Sequence, residues 1–256
     1  MIANYLYRNL IVGLTIALLS AAPTYAADAP TAKSAHAADE DIVVDDHDPL
    51  ETINRGIFAV NRVIDGLILS PAAHIYRGVM ADFAQRSVHN ALSNLATPVV
   101  LLNSALQGDT DNFGRSLGRC VVNSTVGIAG LFDVASNIGI PRSHDKDFGQ
   151  TMGVWGVGAG PYIMLPIVGP SDARDTLGLA ADVLSDPFTW ILNTNADLAY
   201  EAVKGVVKRS DLMPLTDRIY RDSLDPYASF RSIYLQHRNK VVRDYRGADA
   251  ALETEK

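Results

Sequence analysis

DPLETINRGIFAVNRVIDGLILSP, residues 48–71, decides the fold class. Asp48 is a helix-capping residue, Pro49 suits a first helical position, and Glu51 stands where a capping box places its acid. Ile53, Ile57, Val60, Ile64, Leu67 and Ile68 then recur at helical spacing, with Asn54, Arg55, Asn61, Arg62 and Asp65 off that stripe. The pattern predicts an amphipathic helix that Ser70-Pro71 ends or kinks.

Working outward, the same period continues. Over 84–107, Val88, Leu92, Leu95, Val99, Leu102 and Leu106 alternate in steps of four and three, interrupted by Thr97-Pro98. That predicts a kink or two shorter helices. Residues 111–122 put Phe113, Leu117, Cys120 and Val121 on one face, so Cys120 is expected as an inert buried thiol. Ser171 or Asp172 caps a helix through Leu184, and Asp186-Pro187 opens another to about Val207. A short piece over 212–220 follows. Asp225-Pro226 repeats the opening signal for a last helix marked by Tyr227, Phe230, Tyr234 and His237.

The texture changes in GVWGVGAGPYIMLPIVGP, residues 153–170, which is glycine- and proline-rich and carries no charge. A regular helix is not expected through this segment. Two readings stay open, a buried irregular connector and a loop facing membrane or lumen. With strand-like alternation scarce, the expected fold is all-α with an irregular glycine-rich insert.

The N-terminus reads as an export signal over residues 1–26. Arg8 is the only charge, an apolar core LIVGLTIALLSAA spans 10–22, and Thr24-Tyr25-Ala26 gives the small–x–small cleavage pattern. The apolar run is shorter than the ~20 residues that cross a bilayer. Residues 27–46, rich in Ala and Asp, read as a disordered leader. Residues 47–245 form one domain, followed by a charged tail over 246–256.

Composition narrows the function. The net charge of −7 becomes −8 when the segment holding Arg8 is removed. Such a chain has no general electrostatic route to nucleic acid or to anionic lipid, so any membrane contact must be apolar. Hydrophobic residues make up 48% of the chain and mean hydropathy is +0.07, an excess that needs a large core or a lipid-facing surface. One cysteine, Cys120, excludes an intramolecular disulfide, a cysteine-based zinc site and a redox pair.

Catalytic signatures are missing. Gly156 to Gly160 lacks the strand and the glycine spacing of a dinucleotide loop. There is no G-x-S-x-G elbow, H-E-x-x-H or P-loop. His144, Asp145 and Asp147 read as solvated loop residues rather than a metal cluster, so no metal and no cofactor is expected. Asn123-Ser124-Thr125 matches a glycosylation acceptor, but its apolar flanks indicate burial. Arg174-Asp175 reads first as an ion pair.

Several of these segments together resemble the MlaA family of Gram-negative bacteria, also called VacJ. Asp48-Pro49-Leu50-Glu51, Asn54-Arg55 and Phe58-Ala59-Val60-Asn61 are similar to its opening motif. Asn94-Leu95 with Pro98, then Asn103 with Leu106-Gln107-Gly108, are similar to the next elements. Asn123-Ser124-Thr125, Gly127, Gly130 and Phe132-Asp133-Val134-Ala135 follow in order. The longest block runs from Asp147-Phe148-Gly149-Gln150-Thr151 through Trp155-Gly156, Gly160-Pro161-Tyr162 and Gly169-Pro170-Ser171 to Arg174-Asp175.

The resemblance implies a ring of amphipathic helices in the inner leaflet of the outer membrane. It implies a channel that takes phospholipid out of the outer leaflet and delivers it to a soluble periplasmic carrier, with a trimeric porin as partner. On that reading Ile57, Ile64 and Leu67 face acyl chains. Asn54, Asn61, Asn103, Gln107 and Asn123 are candidate lumen groups, with caps or satisfied core amides as the alternative for each. The segment 153–169, carrying Trp155 and Tyr162, is the candidate gate. Phe58, Gln150, Arg174 and Asp175 complete the candidate channel or gate set.

Family members typically carry a cysteine just after the signal peptide, whereas Cys120 lies deep in this chain, so the expectation is either attachment through the amphipathic surface alone or a partly soluble protein. Two competing classes are a lipid hydrolase, for which a nucleophile–base pair is lacking, and a non-catalytic lipid-binding or porin-associated structural protein.

Overall fold

A computed structural model describes residues 48–254, with side chains to Tyr245. The export signal, the leader and the tail's side chains lie outside the described residues.

Helix α1 (Glu51–Ile64) begins where the opening stretch indicates, with a different cap. Asp48 accepts the Leu50 amide at 3.0 Å, while Glu51 pairs with Arg55 instead of folding back on a capping box. Pro71 does not end the run. The chain passes through a π turn (Asp65–Leu69) straight into α2 (Ser70–Val79). The wider turn absorbs a proline that supplies no amide donor.

Helix α3 (Asp82–Leu106) is one 25-residue helix with Pro98 inside it. The Thr97 hydroxyl donates to the Ser93 carbonyl at 3.2 Å in the turn that the proline weakens. Asp109 caps α4 (Thr110–Thr125), accepting the Asn112 amide at 2.8 Å. The short α5 (Val134–Asn137) starts on Asp133.

The glycine-rich region is more ordered than its composition indicates. Helix α6 (Phe148–Val154) is followed by an antiparallel hairpin, β1 (Tyr162–Leu165) and β2 (Gly169–Asp172). The predominantly helical fold thus carries one small sheet where an irregular insert was expected. All four β1 residues are buried. Its uncharged sequence is explained by burial in the core, the connector reading, while Trp155, Val157 and Ile167 on the flanking turns are exposed.

Asp172 caps α7 (Ala173–Ser185), accepting the Asp175 amide at 2.7 Å. Helix α7 meets α6 at Gly149 and Gly178. A Cβ on Gly178 would lie 2.3 Å from the Gly149 nitrogen, so only glycine permits this approach. After the single turn α8 (Phe188–Ile191), Asn193 caps α9 (Thr194–Asp222). This helix runs unbroken through Pro214, joining the two pieces the sequence pattern separates. Helix α10 (Pro226–Thr254) starts on the Asp225-Pro226 signal.

The hydrophobic cluster around the hairpin is rich in aromatic side chains. Tyr162, Met164 and Tyr227 are buried, with Ile57, Phe58, Tyr234 and Leu235 packed on them. Phe58 meets Tyr227 edge-on at 5.8 Å, and Tyr162 meets Tyr227 at 6.1 Å. Such pairs add roughly 0.5–1.5 kcal/mol beyond area burial.

Candidate functional site: a polar cavity behind an apolar exterior

Helices α3 and α4 are turned the opposite way from those of a water-soluble domain. In α3 the buried residues include Thr97, Asn103 and Ser104, while Leu102 and Leu106 are exposed. In α4 the buried residues are Asn112, Ser116 and Asn123, while Leu117 and Val121 are exposed. Along α1, the π turn and α2, Val63, Leu67, Ile68, Ile75 and Val79 face outward, Leu67 with 74% of its surface accessible. The run Glu51–Val79 is the one stretch among the described residues long and apolar enough to cross a bilayer, and 6% of its apolar window is buried. Large apolar side chains on this scale outside and amides inside mark a surface built for lipid.

Ile57 departs from that picture. It packs on the aromatic core, and Ile64 is half-buried, so of the three aliphatic side chains expected to meet acyl chains only Leu67 is openly exposed.

The polar faces enclose space. Between α3, α4 and residues 142–145 lies a lobe of about 90 Å³ lined by Asn94, Thr97, Ser116, Arg119, Cys120 and Asn123. A second lobe, about 790 Å³, reaches to α2 and α9 and shares His89, Asn90, Asp133 and Arg142 with the first. Its wall is mixed, with Phe83, Leu131 and Phe132 beside Arg86, Asp82 and Asp211. Such a wall accommodates a molecule that has both a charged and an apolar end.

Asp133 organises the junction of the lobes. Burial pushes its carboxyl up, but hydrogen bonds from Ser136 and Arg119 outweigh that and hold it at about 2. It is therefore an anion at neutral pH. Arg119 Nη2 lies 2.7 Å from Asp133 Oδ1 and Arg142 Nη2 lies 3.8 Å from Oδ2. Cys120 is half-buried on the cavity wall rather than sealed in a core. The Ser116 hydroxyl oxygen is buried there without a hydrogen-bond partner in the protein.

Of the residues singled out from sequence, Asn123 lines this cavity. Its amide also donates to Asp133 at 3.3 Å and accepts the Ala135 amide at 2.9 Å. Asn54 and Asn61 hold the hairpin instead. Asn54 donates to the Tyr162 carbonyl at 3.1 Å, and Asn61 donates to the Leu165 carbonyl at 2.8 Å. Asn103 bonds Asp182 at 2.9 Å and accepts from Thr151 at 2.8 Å. Gln107 donates to Thr151 at 2.8 Å and accepts from Lys146 at 2.7 Å. For these four, satisfied structural amides, the alternative weighed from sequence, match the geometry. Gln150 is tied to Asp147 at the cap of α6. Phe58 and Tyr162 belong to the aromatic core.

Trp155 is the exposed aromatic on the glycine-rich side, its indole nitrogen donating to the Leu106 carbonyl at 3.1 Å. Arg174 and Asp175 form the predicted ion pair, at 3.0 Å, in a larger buried cluster. Arg238 reaches both Asp175 and Asp147, and the Tyr234 hydroxyl donates to Asp175 at 2.6 Å. Arg174 also lines a surface recess with Gly156, Val157, Asn239 and Arg243.

Sequence reasoning missed His89, Arg119, Asp133 and Arg142. The signal lay in the polar stripes. Asn112, Ser116, Arg119 and Asn123 recur at helical spacing on the side opposite Leu117 and Val121.

The model of the MlaA lipoprotein family matches residues 46–241, most of the chain. The chain belongs to the MlaA family. The intermembrane phospholipid transport system lipoprotein MlaA of Escherichia coli (strain K12) is 33% identical over 198 residues, covering 76% of this chain and 78% of that one. The protein of the same name from Haemophilus influenzae is 30% identical over 202 residues, covering 77% and 80%. An uncharacterized protein of Rickettsia typhi is 36% identical, covering 77% of this chain and 78% of its own length. A solved structure reported under the words "Structural basis for maintenance of bacterial outer membrane lipid asymmetry" shares 34% identity at a TM-score of 0.68, over 77% of this chain and 99% of that one.

Proposed function

We propose that this protein moves phospholipid between membranes. It removes mislocalised phospholipid from the outer leaflet of the outer membrane through its polar cavity and delivers it to a soluble periplasmic carrier. The observation that carries this reading is the inversion of α3 and α4, with Asn103, Ser104, Ser116 and Asn123 buried and Leu102, Leu106, Leu117 and Val121 exposed. A migrating phospholipid needs a path that hydrates its head while its tails stay in apolar surroundings. A polar cavity behind an apolar exterior meets both needs, since an unpaired polar head in hydrocarbon costs several kcal/mol. The names of the Escherichia coli and Haemophilus influenzae relatives support the same substrate.

The chain sits at the periplasmic side of the outer membrane, held by the exposed stripe of α1 and α2 and the aromatic edge at Trp155, with a trimeric porin as its membrane partner. Burying ~400 Å² of apolar surface at ~25 cal/mol/Å² yields ~10 kcal/mol gross, enough for attachment. The role is that of a non-enzymatic conduit. The deciding experiment measures outer-leaflet phospholipid in cells lacking this chain. The level rises on deletion and returns to normal on complementation; no rise in the deletion strain would overturn the proposal.

A further inference from the structure

The junction of the two lobes carries both signs of charge. Asp133 is committed to Arg119, and both side chains are largely buried. Arg142 is different. Its side chain is 75% accessible and its contact with Asp133 is a loose 3.8 Å. Asp145 lines the first lobe, and Asp82 and Asp211 line the second. Asp211 is 60% accessible and lies 3.8 Å from His89.

The charge balance argues against a site for a plain anion. With histidine neutral, the first lobe sets Arg119 and Arg142 against Asp133 and Asp145, a net of zero. The second sets Arg86 and Arg142 against Asp82, Asp133 and Asp211, a net of −1. A head bearing only a phosphodiester gains from the guanidinium and loses to the carboxylates. A head that also carries an ammonium is matched at both ends, because the guanidinium fork suits phosphate oxygens and a compact ammonium suits carboxylates. The unpartnered Ser116 hydroxyl in the first lobe independently points to a polar ligand there.

We propose that this junction reads headgroup charge and favours zwitterionic, ammonium-bearing phospholipid over net-anionic phospholipid, with the phosphodiester on Arg142 and the amine on Asp145 or Asp211. This rests on the phospholipid reading above and adds the class of head that the path prefers.

The test uses the full chain in detergent, stripped of lipid, equilibrated with vesicles of equimolar phosphatidylethanolamine and phosphatidylglycerol, then re-isolated for lipid analysis. The expected bound ratio favours phosphatidylethanolamine by about threefold or more, within the reach of exposed charge pairs. Asp145→Asn combined with Asp211→Asn brings the ratio to about one, by weakening retention of phosphatidylethanolamine and relieving the repulsion of phosphatidylglycerol. Arg142→Gln lowers both lipids together. All three side chains are exposed, so circular dichroism should match the wild type. An equal ratio in the wild type, or an unchanged ratio in the double variant, overturns the proposal and leaves phospholipid transport standing. Retention of neither lipid overturns both. Retention of soluble glycerophosphoethanolamine with no preference between the lipids assigns the site to a free solute and also overturns it.

Discussion

Asn54 is paired to Tyr162 as a neighbouring strand would be: its amide donates to the Tyr162 carbonyl at 3.1 Å and accepts the Met164 amide at 2.8 Å. One helix side chain thus closes the edge of a buried hairpin and fixes α1 to the core. Asn54→Ala leaves both backbone groups buried and unpaired, which costs about 2–4 kcal/mol. Asn54→Asp keeps the size but removes the donor and adds a charge beside Asp48, so it fares no better. Denaturant unfolding in detergent checks both; a loss below about 1 kcal/mol would contradict this role.

The cluster around Arg238 has an analogous dependence. Arg238 binds Asp147 at 2.7 and 2.9 Å and also contacts Asp175, tying α10 to the α6–α7 pair. Arg238→Ala strands the largely buried Asp175 carboxylate while Asp147 remains partly open to water, and is expected to cost about 3 kcal/mol, with Arg238→Lys intermediate. Thermal unfolding measures this, and a neutral Arg238→Ala would show that the cluster is dispensable.

Leu67, Ile68 and Val79 contribute little to folding and much to attachment, because they are exposed on the protein's own surface. Leu67→Gln with Ile68→Gln should leave the unfolding midpoint nearly unchanged. Each substitution forfeits about 1.5–3 kcal/mol of transfer into lipid, so vesicle flotation should fall steeply. Unfolding without a change in flotation would place these residues in a protein core instead.

Two carboxyls predict the pH dependence of stability. Burial pushes Asp172 up to about 6, with the Asp175 charge adding to it, and burial pushes Asp182 up to about 6 despite the Phe148 amide and Asn103. A raised folded value means that the folded state binds more protons between about 4 and 6. Stability is then greatest at the acidic end and falls as pH rises through about 6. Asp133 runs the other way, its contribution being lost only as pH falls toward about 2. The unfolding temperature should rise from pH 7.5 to pH 5.5, and Asp182→Asn, which keeps the acceptor for Asn103, should flatten that slope. A fall over this interval, unaffected by Asp182→Asn, would contradict the assignment.

The start at Asp172, which caps the helix after it, was legible, whereas Asn193, the cap of α9, was passed over for Asp186-Pro187, which opens only the single turn α8. Stops and kinks read from proline were less so. Pro98 lies inside a continuous helix, and the π turn carries the chain past Pro71, because the loss of one amide donor is a local cost that a long helix absorbs. Orientation was the harder problem. Periodicity gives two stripes per helix and does not say which faces in, and with lipid as solvent the apolar stripe of α3 and α4 faces out. The individual amides could not be apportioned either. Asn61 and Asn123 look alike in sequence, yet one fastens a hairpin turn and the other lines the cavity, a difference set by contacts more than a hundred residues away in the first case.

The chain's single thiol tests the central claim, that lipid travels through the cavity between α3 and α4. Cys120 lies on that cavity's wall. A charged, water-soluble methanethiosulfonate adds bulk at this one position, and lipid release from outer membranes to a soluble acceptor is followed before and after labelling. The account predicts that labelling proceeds from water, is slowed by bound lipid and blocks release, while Cys120→Ala transfers lipid normally and ignores the reagent. Complete modification of Cys120 with release unaltered would contradict it.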